Sequence, residues 1–587
     1  MNGGSHTIDP AWTVQVPEHV AFRLQPAGPV IRLLAYCLDL LIRFLLLYLG
    51  LVIFSIGSTS TGPASTGFIL LLWFLLEWGY AFLFEWLARG RTPGKAAVGI
   101  RVVDQQGMPL RAGAAALRNL LRAADWLPAG YLTGLTCMIC DRGFRRLGDL
   151  AAGSLVVYRR VTPLPTAPPV TDEAVLRLAR SLPRRVAVAL PARCIRALAG
   201  FVSRRRQFQS ARRREMAAHL APALARYHRL RPPRNPDRFL CAVDLLARRG
   251  PVPGGRQDDA DTGANAASLV GAHRPHWHEL EKLLDRSTPL SGAAATRLAH
   301  LHRSACADLA LCEAYLLPER TRAYLDDLIA RTHHRLYRRR SGSWRRLAHS
   351  IFDAAPRMLY GDRCLRVAAL AFFGTFLLAL VLSRLDPELP ERILGAPQLE
   401  ELHQMYADPP RHRGLSAGAG ATGFYIRNNV SIALTCFACG IFLGVGSLLL
   451  LVFNGLVIGL MFGHMLGAPD PLPAHFLEFV TAHAAFELGG ITLCGAAGLR
   501  LGWGMVAGSS LPTGQALRCS AAQAVPIIAV GALLVALAAP IEAFISPADL
   551  PVTIKRTVGI GSAVLLFAYL GLGAVGRHGQ DRLREDG

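Results

Sequence analysis

Apolar residues gather in long runs along this chain, separated by segments in which basic residues dominate. Ile31–Phe54 and about Phe68–Ala88 each hold roughly the twenty apolar residues that a bilayer-crossing helix needs, joined by the charge-free segment Ser55–Gly67. The next loop carries Arg89, Arg91, Lys95, Arg101 and Arg111, and the positive-inside bias places it in the cytoplasm. Within it, Ala97–Asp104 alternates as a short strand and Gln105-Gln106-Gly107 reads as a hairpin turn. A third apolar segment, Leu117–Ile139, is interrupted by Leu127-Pro128-Ala129-Gly130. A single crossing there would throw the Arg-rich block that follows to the opposite side. The pattern therefore predicts a re-entrant or interfacial broken hairpin, whose irregular backbone needs protein or water to satisfy it.

Pro163–Val170 reads as a proline-rich linker. Helical patterns follow over Asp172–Leu182 and Ala192–Leu230, Pro251–Gly271 has the composition of a disordered stretch, and His276–Tyr337 shows helical periodicity with Trp277, Leu280, Leu301 and Leu328 in its core. Apolar runs then return as Val367–Leu382, Val430–Val452, Val457–Leu466, Phe476–Leu499, Ala524–Phe544 and Val558–Val575. Asn454-Gly455 is the expected tight turn between the second and third of these, and Arg500 and Arg518 fall in an expected inside loop. The fold expectation is all-α: a polytopic membrane protein of about eight spans plus a broken or re-entrant segment, with a cytoplasmic helical region between two membrane modules. Its expected parts are a tail (1–20), a membrane module (21–160), a basic helical and linker region (161–272), a helical lead-in (273–366), a second membrane module (367–576) and a tail (577–587).

Charge sharpens this division. The chain carries a net charge of +23, and Arg142–Arg366 holds 42 of the 64 basic but only 19 of the 41 acidic residues. The excess thus belongs to the central block, and the expected location is the bacterial cytoplasmic (inner) membrane, with both termini and that block inside. A basic surface there suits the bilayer and its anionic lipid headgroups; no nucleic-acid module accompanies it, so nucleic acid is not an expected partner. The first residues lack a signal-peptide pattern, leaving the first span as the expected insertion signal. The cysteine pairs Cys137/Cys140 and Cys436/Cys439 fall in apolar segments, where cysteine is most often a small packing residue.

Ionisable residues inside apolar runs are the candidate chemistry, because burying them in hydrocarbon costs several kcal/mol unless they are partnered. Arg32 and Asp39 lie two turns apart on the first span and can pair with each other or with Glu77 or Glu85 on the second. His483 and Glu487, one turn apart, share a helix face, and Glu542 lies on a span able to run alongside. Either set can pin helices together or handle an ion or proton. A bound metal is a weaker reading, since H-x-x-x-E lacks the second histidine of the zinc-protease pattern. Neither a metal nor a cofactor is expected.

Two sets of motifs resemble known families. Arg32 with Asp39, then Gly90-Arg91-Thr92-Pro93-Gly94-Lys95, then Arg146-Leu147-Gly148-Asp149 running to Gly153, is similar to the RDD membrane family over about Ala21–Arg160. That resemblance implies a small membrane module, with cation/proton antiport attributed to some members. Phe424 to Asn428-Asn429, the glycines at 440, 444 and 446, Asn454-Gly455, His483, Glu487, the segment ending at Arg500-Leu501-Gly502 and Pro540 to Pro547 resemble the stage II sporulation protein M family over about His273–Val575. This second resemblance implies no assigned catalysis, and a membrane partner for cell-wall-remodelling enzymes.

No P-loop, G-x-S-x-G or zincin motif occurs, so no catalytic residue is assigned and a non-enzymatic role is expected. The expected function is organisation of envelope or cell-wall partners, with self-association left open; the alternative is a cation/proton antiporter or solute transporter.

Overall fold

The computed structural model describes residues 11–15, 17–18, 21–57, 62–159, 172–183, scattered positions between 186 and 205, 208–249, 266–285, 292–314, 319–336, 348–408, 414–507 and 511–585. The described residues are overwhelmingly helical, with four short strands in two antiparallel pairs. Among the described residues, seven helices are long and apolar enough to cross a membrane. The protein is a multi-pass, all-α membrane protein.

The chain begins with a hairpin, β1 (Trp12–Gln15) against β2 (Ala21–Leu24). Helices α1 (Pro29–Gly57) and α2 (63–87) form the first two candidate spans. Strand β3 (Ile100–Asp104) follows, and Gln105-Gln106-Gly107 does turn, with Gly107 at a φ of 76°. The partner strand differs from the expected adjacent one: β3 pairs with β4 (Ser154–Tyr158), some fifty residues on. Between them the expected broken segment appears as α3 (Ala112–Leu120), a turn of helix at Arg122–Asp125 and α4 (Leu132–Cys140). Pro128, Gly130 at a φ of 59° and Tyr131 at 70° stop the helix from running through. A short helix, α5 (Leu147–Ala152), then leads into β4.

The central region contains helices at Glu173–Ser181, Ser210–Tyr227 and Pro236–Arg249. The expected helix over Ala192–Leu230 is realised only in its second half, its first half lying mostly outside the described residues. A bundle of α6 (Ala266–Asp285), α7 (Gly292–Ala314) and α8 (Glu319–Leu336) follows, and α6 starts inside the stretch 251–271 expected to be disordered, whose earlier part is not described. Trp277, Leu280, Leu301 and Leu328 fill its core, and Val14, Phe22 and Leu24 of the hairpin join Val103, Leu155 and Val157 in that same core.

The second membrane block contains α9 (Arg363–Leu385), α10 (415–441), α11 (Val445–Gly467), α12 (Leu472–Val480), α13 (Ala484–Val506), α14 (513–545) and α15 (Val552–Glu585). Helix α10 is not among the seven candidate spans, and it is broken by a π turn at Ile426–Val430 and a tight turn at Cys439–Ile441. This corrects the expected cut of the chain. The reversal falls at Leu443 and Gly444, with φ values of 54° and 84°, while Asn454-Gly455 sits mid-helix in α11. A Cβ at Gly455 would come within 2.4 Å of the Phe372 carbonyl, so this glycine permits a close helix crossing and makes no turn. Asn454 donates to its own helix at the Leu450 carbonyl, 2.7 Å away. Arg500 and Arg518, expected in a loop, lie on α13 and α14; Arg500 pairs with Asp362 at 3.3 Å.

The two membrane blocks pack into one body. A Cβ on Gly67 would lie 2.3 Å from Gly420 Cα, and one on Gly423 would lie 2.0 Å from the Gly67 carbonyl, so α2 and α10 touch backbone to backbone. Trp78 Nε1 donates to Ser431 Oγ at 3.2 Å, and Arg427 stacks 4.0 Å over Trp73. Leu117, Leu121, Ala124 and Ala151 share a core with Phe437, Ile491 and Ile528.

Candidate functional site

Two clusters gather buried ionisable residues of the membrane blocks. The first is centred on Asp149 and Glu85, whose side chains are wholly buried. Gly148 precedes Asp149 because a Cβ there would lie 2.5 Å from the Arg118 carbonyl; the glycine brings α5 against α3. Asp149 accepts from Arg32 at 2.5 Å, from Arg118 Nε at 2.6 Å, and from the Arg146 backbone N–H at 3.2 Å, closing the start of α5. Glu85 accepts from Lys95, from the other arm of Arg118, and from Asn119 at 2.9 Å. Arg146 donates to Tyr131 at 2.7 Å and lies 3.4 Å from Asp125. The guanidinium of Arg118, 2% exposed, thus joins both carboxylates into one ionic lattice.

Outside the spans, this lattice leaves a clear signature. Burial by itself would raise Asp149, but the three surrounding arginines hold it far below the ordinary carboxylate range. Desolvation lowers Lys95 to about 8, although Glu85 opposes this. Asp125, where desolvation outweighs Arg146, is pushed up to about 6.

Arg32 and Asp39 do not pair with each other. Arg32 reaches across to Asp149, while Asp39 accepts from the Gly94 backbone N–H at 2.8 Å, Thr92 Oγ1 at 2.5 Å and Tyr80 at 2.9 Å. The G-R-T-P-G-K motif is thereby explained: Thr92 caps the short helix Pro93–Ala97, and a Cβ on Gly94 would lie 2.8 Å from the Asp39 carboxylate. Glu77 stays out of the lattice, on an exposed stretch of α2. Arg118 and Asn119 were missed as site residues, though an arginine beside a polar amide at the head of the Leu117–Ile139 apolar run was the available signal.

The second cluster lies where α12 and α13 meet. The expected continuous helix Phe476–Leu499 breaks at 481–483, and His483 becomes the residue preceding α13. His483 Nδ1 lies 2.9 Å from Ser546 Oγ, and Nε2 lies 3.7 Å from Glu487 and 4.0 Å from Glu542. Asn429 donates to Glu542 at 3.4 Å and receives from Asn428 at 2.8 Å. The two asparagines bridge from the π turn of α10 and do not cap a helix. On the other side, the fully buried Lys555 ammonium donates to the Ser546 carbonyl at 2.9 Å and to Glu478 at 2.6 Å. The expected trio His483, Glu487 and Glu542 is therefore brought together, with Lys555 and Ser546 as members that no span-based reading selects. Its three donor atoms lie within 4.8 Å of one another, a spacing that admits a small cation or a shared proton.

Elsewhere, His273 and Trp277 both meet Asp308, at 2.8 and 2.7 Å, anchoring the start of the bundle. Cys436 and Cys439 are buried, and no disulfide joins the described cysteines.

Fold and site together define a polytopic membrane protein built from two polar-cored helical modules. In sequence, residues 26–153 match the RDD family and residues 367–547 match stage II sporulation protein M. The chain is a fusion of an N-terminal RDD domain with a C-terminal stage II sporulation protein M domain. Residues 267–338, the α6–α8 bundle, match a domain of unknown function, DUF8413. No curated protein and no solved structure matches the chain.

Proposed function

We propose that the protein is a non-enzymatic component of the bacterial inner membrane that organises envelope or cell-wall partners, with its termini and central basic block in the cytoplasm. The observation that carries this reading is the glycine-lined seam of Gly67, Gly420 and Gly423, which welds two membrane modules into one body. In the first module Asp149 and Glu85 are held by Arg32, Arg118, Lys95, Asn119 and a backbone N–H, as expected of a rigid platform. The basic block supports the orientation, and its arginines suit anionic headgroups at the membrane surface.

The His483–Glu487–Glu542 cluster favours a second reading, coupled cation and proton transport, because an imidazole and two carboxylates gather within 4.8 Å of one another in the membrane block. Two measurements separate the readings. Affinity purification of the full chain from native membranes should return stoichiometric envelope proteins, and the yield should be unchanged in Glu487→Gln. Absence of such partners, together with cation-dependent proton flux in proteoliposomes that Glu487→Gln abolishes, would replace the first reading with the second.

A further inference from the structure

A separate donor cluster lies in the α6–α8 bundle, away from the candidate spans. His302 and Cys306 sit one turn apart on α7, each 1% exposed. Glu18 approaches them from the turn between β1 and β2. His302 Nε2 lies 3.7 Å from Cys306 Sγ and 3.9 Å from Glu18 Oε1, and all three donor atoms lie within 4.8 Å of one another.

Thr332 determines which ring nitrogen faces this cluster. Its hydroxyl lies 2.9 Å from both the Leu328 and Ile329 carbonyls, which only accept, so its proton points there. Thr332 Oγ1 therefore accepts from His302 Nδ1, 2.8 Å away, and the Nε2 lone pair is aimed at the thiol and the carboxylate. This is the arrangement of a metal-bound histidine, whose other nitrogen is held by an outer hydrogen bond. The Cys306 thiol stands at hydrogen-bond distance from Nε2, and a bound metal would take the place of its proton. Around tetrahedral zinc, with sulfur at about 2.3 Å and nitrogen or oxygen at about 2.0–2.1 Å, donor–donor edges are about 3.3–3.6 Å. The 3.7 and 3.9 Å spacings of His302 Nε2 need closure of about half an ångström or less to reach them.

We propose that Glu18, His302 and Cys306 bind zinc, and that the metal clasps the N-terminal hairpin to the α6–α8 bundle. Thiolate, imidazole and carboxylate are the ligand types zinc takes, and three protein ligands leave a fourth position for water. Binding releases the thiol proton to solvent. The hairpin already packs Phe22 and Leu24 into the bundle core beside β3 and β4, and Arg23 N–H donates to Asp326 at 3.3 Å. The clasp therefore ties the bundle to the strands of the first membrane module.

The test uses the full chain in detergent, stripped with chelator and titrated with zinc against a chromophoric competitor. A single zinc per chain is expected, with sulfur in its X-ray absorption shell and a thiolate-to-cobalt charge-transfer band on cobalt substitution. Cys306→Ala and His302→Gln should each weaken binding on the order of 100-fold, and Thr332→Val about 10-fold with sulfur ligation retained. Glu487→Gln should leave the sulfur-ligated metal in place, which separates this site from the cluster at His483. Zinc should slow amide exchange across Trp12–Leu24 in the wild type and not in Cys306→Ala. The proposal is overturned if the wild type binds zinc no more tightly than Cys306→Ala, or if bound zinc has only nitrogen and oxygen neighbours and leaves Cys306 alkylation unaffected.

Discussion

The two polar clusters of the membrane blocks are built on opposite principles. Around Asp149 and Glu85, direct contacts join carboxylates to guanidinium, ammonium, amide and backbone donors. Around His483, the carboxylates stand 3.7 and 4.0 Å from the imidazole, outside direct hydrogen-bond range. Burial penalises both kinds of cluster, and in the first a cation touches each carboxylate directly. The first is thus a lock, and the second keeps room for a proton, an ion or a change of partner.

The sharpest way to break this comparison is to remove Arg118, the cation shared by both buried carboxylates. Arg118→Met should cost about 3–5 kcal/mol, because it leaves Asp149 and Glu85 short of a buried partner; a thermal melt in detergent reads this. A loss below about 1 kcal/mol would mean that the lattice is not a lock. Next, Gly423→Val should cost about 1–3 kcal/mol by overpacking the seam between α2 and α10. Proteolytic separation of the modules, at unchanged helix content, would show it. Glu487→Gln should cost less than about 1 kcal/mol, in line with its loose spacing, and a loss as large as that of Arg118→Met would erase the contrast.

The last effect concerns pH and lies outside both clusters. His334, in the bundle, is pushed down to about 3 by burial and by the positive field of Arg101, Arg89 and His333. The unfolded chain takes up this proton below about 6.5, so stability falls as pH drops from that value toward the folded one. The slope reaches at most about 1.4 kcal/mol per pH unit. Asp327, pushed up to about 6 chiefly by burial, works against it over the same interval. His334→Gln should therefore flatten the acid side of the melting curve of the full chain between neutral pH and pH 5, while Asp327→Asn should steepen it.

Much of the architecture was legible because lipid-length apolar runs and buried charges are local signals. The Leu127–Gly130 break stands where proline and glycine placed it, and His483, Glu487 and Glu542 do converge. The partition of α10 and α11 was not legible. Asn454-Gly455 has turn chemistry, yet the backbone reverses at Leu443-Gly444, because Gly455 is needed for contact with α9. A glycine's local sequence does not say whether its missing side chain serves a turn or a neighbouring helix. Arg32 likewise found Asp149, 117 residues away, in place of the nearer Asp39, whose oxygens the Gly94 and Thr92 donors had taken.

By itself the sequence determined a helical, multi-pass membrane protein of two modules flanking a basic block, since hydropathy and charge act residue by residue. Tertiary structure alone decided which charge neutralises which, that the modules share a glycine seam, and that Glu18 meets His302 and Cys306. These outcomes depend on contacts between residues far apart in the chain, where geometry and competition among donors select a partner that no local pattern encodes.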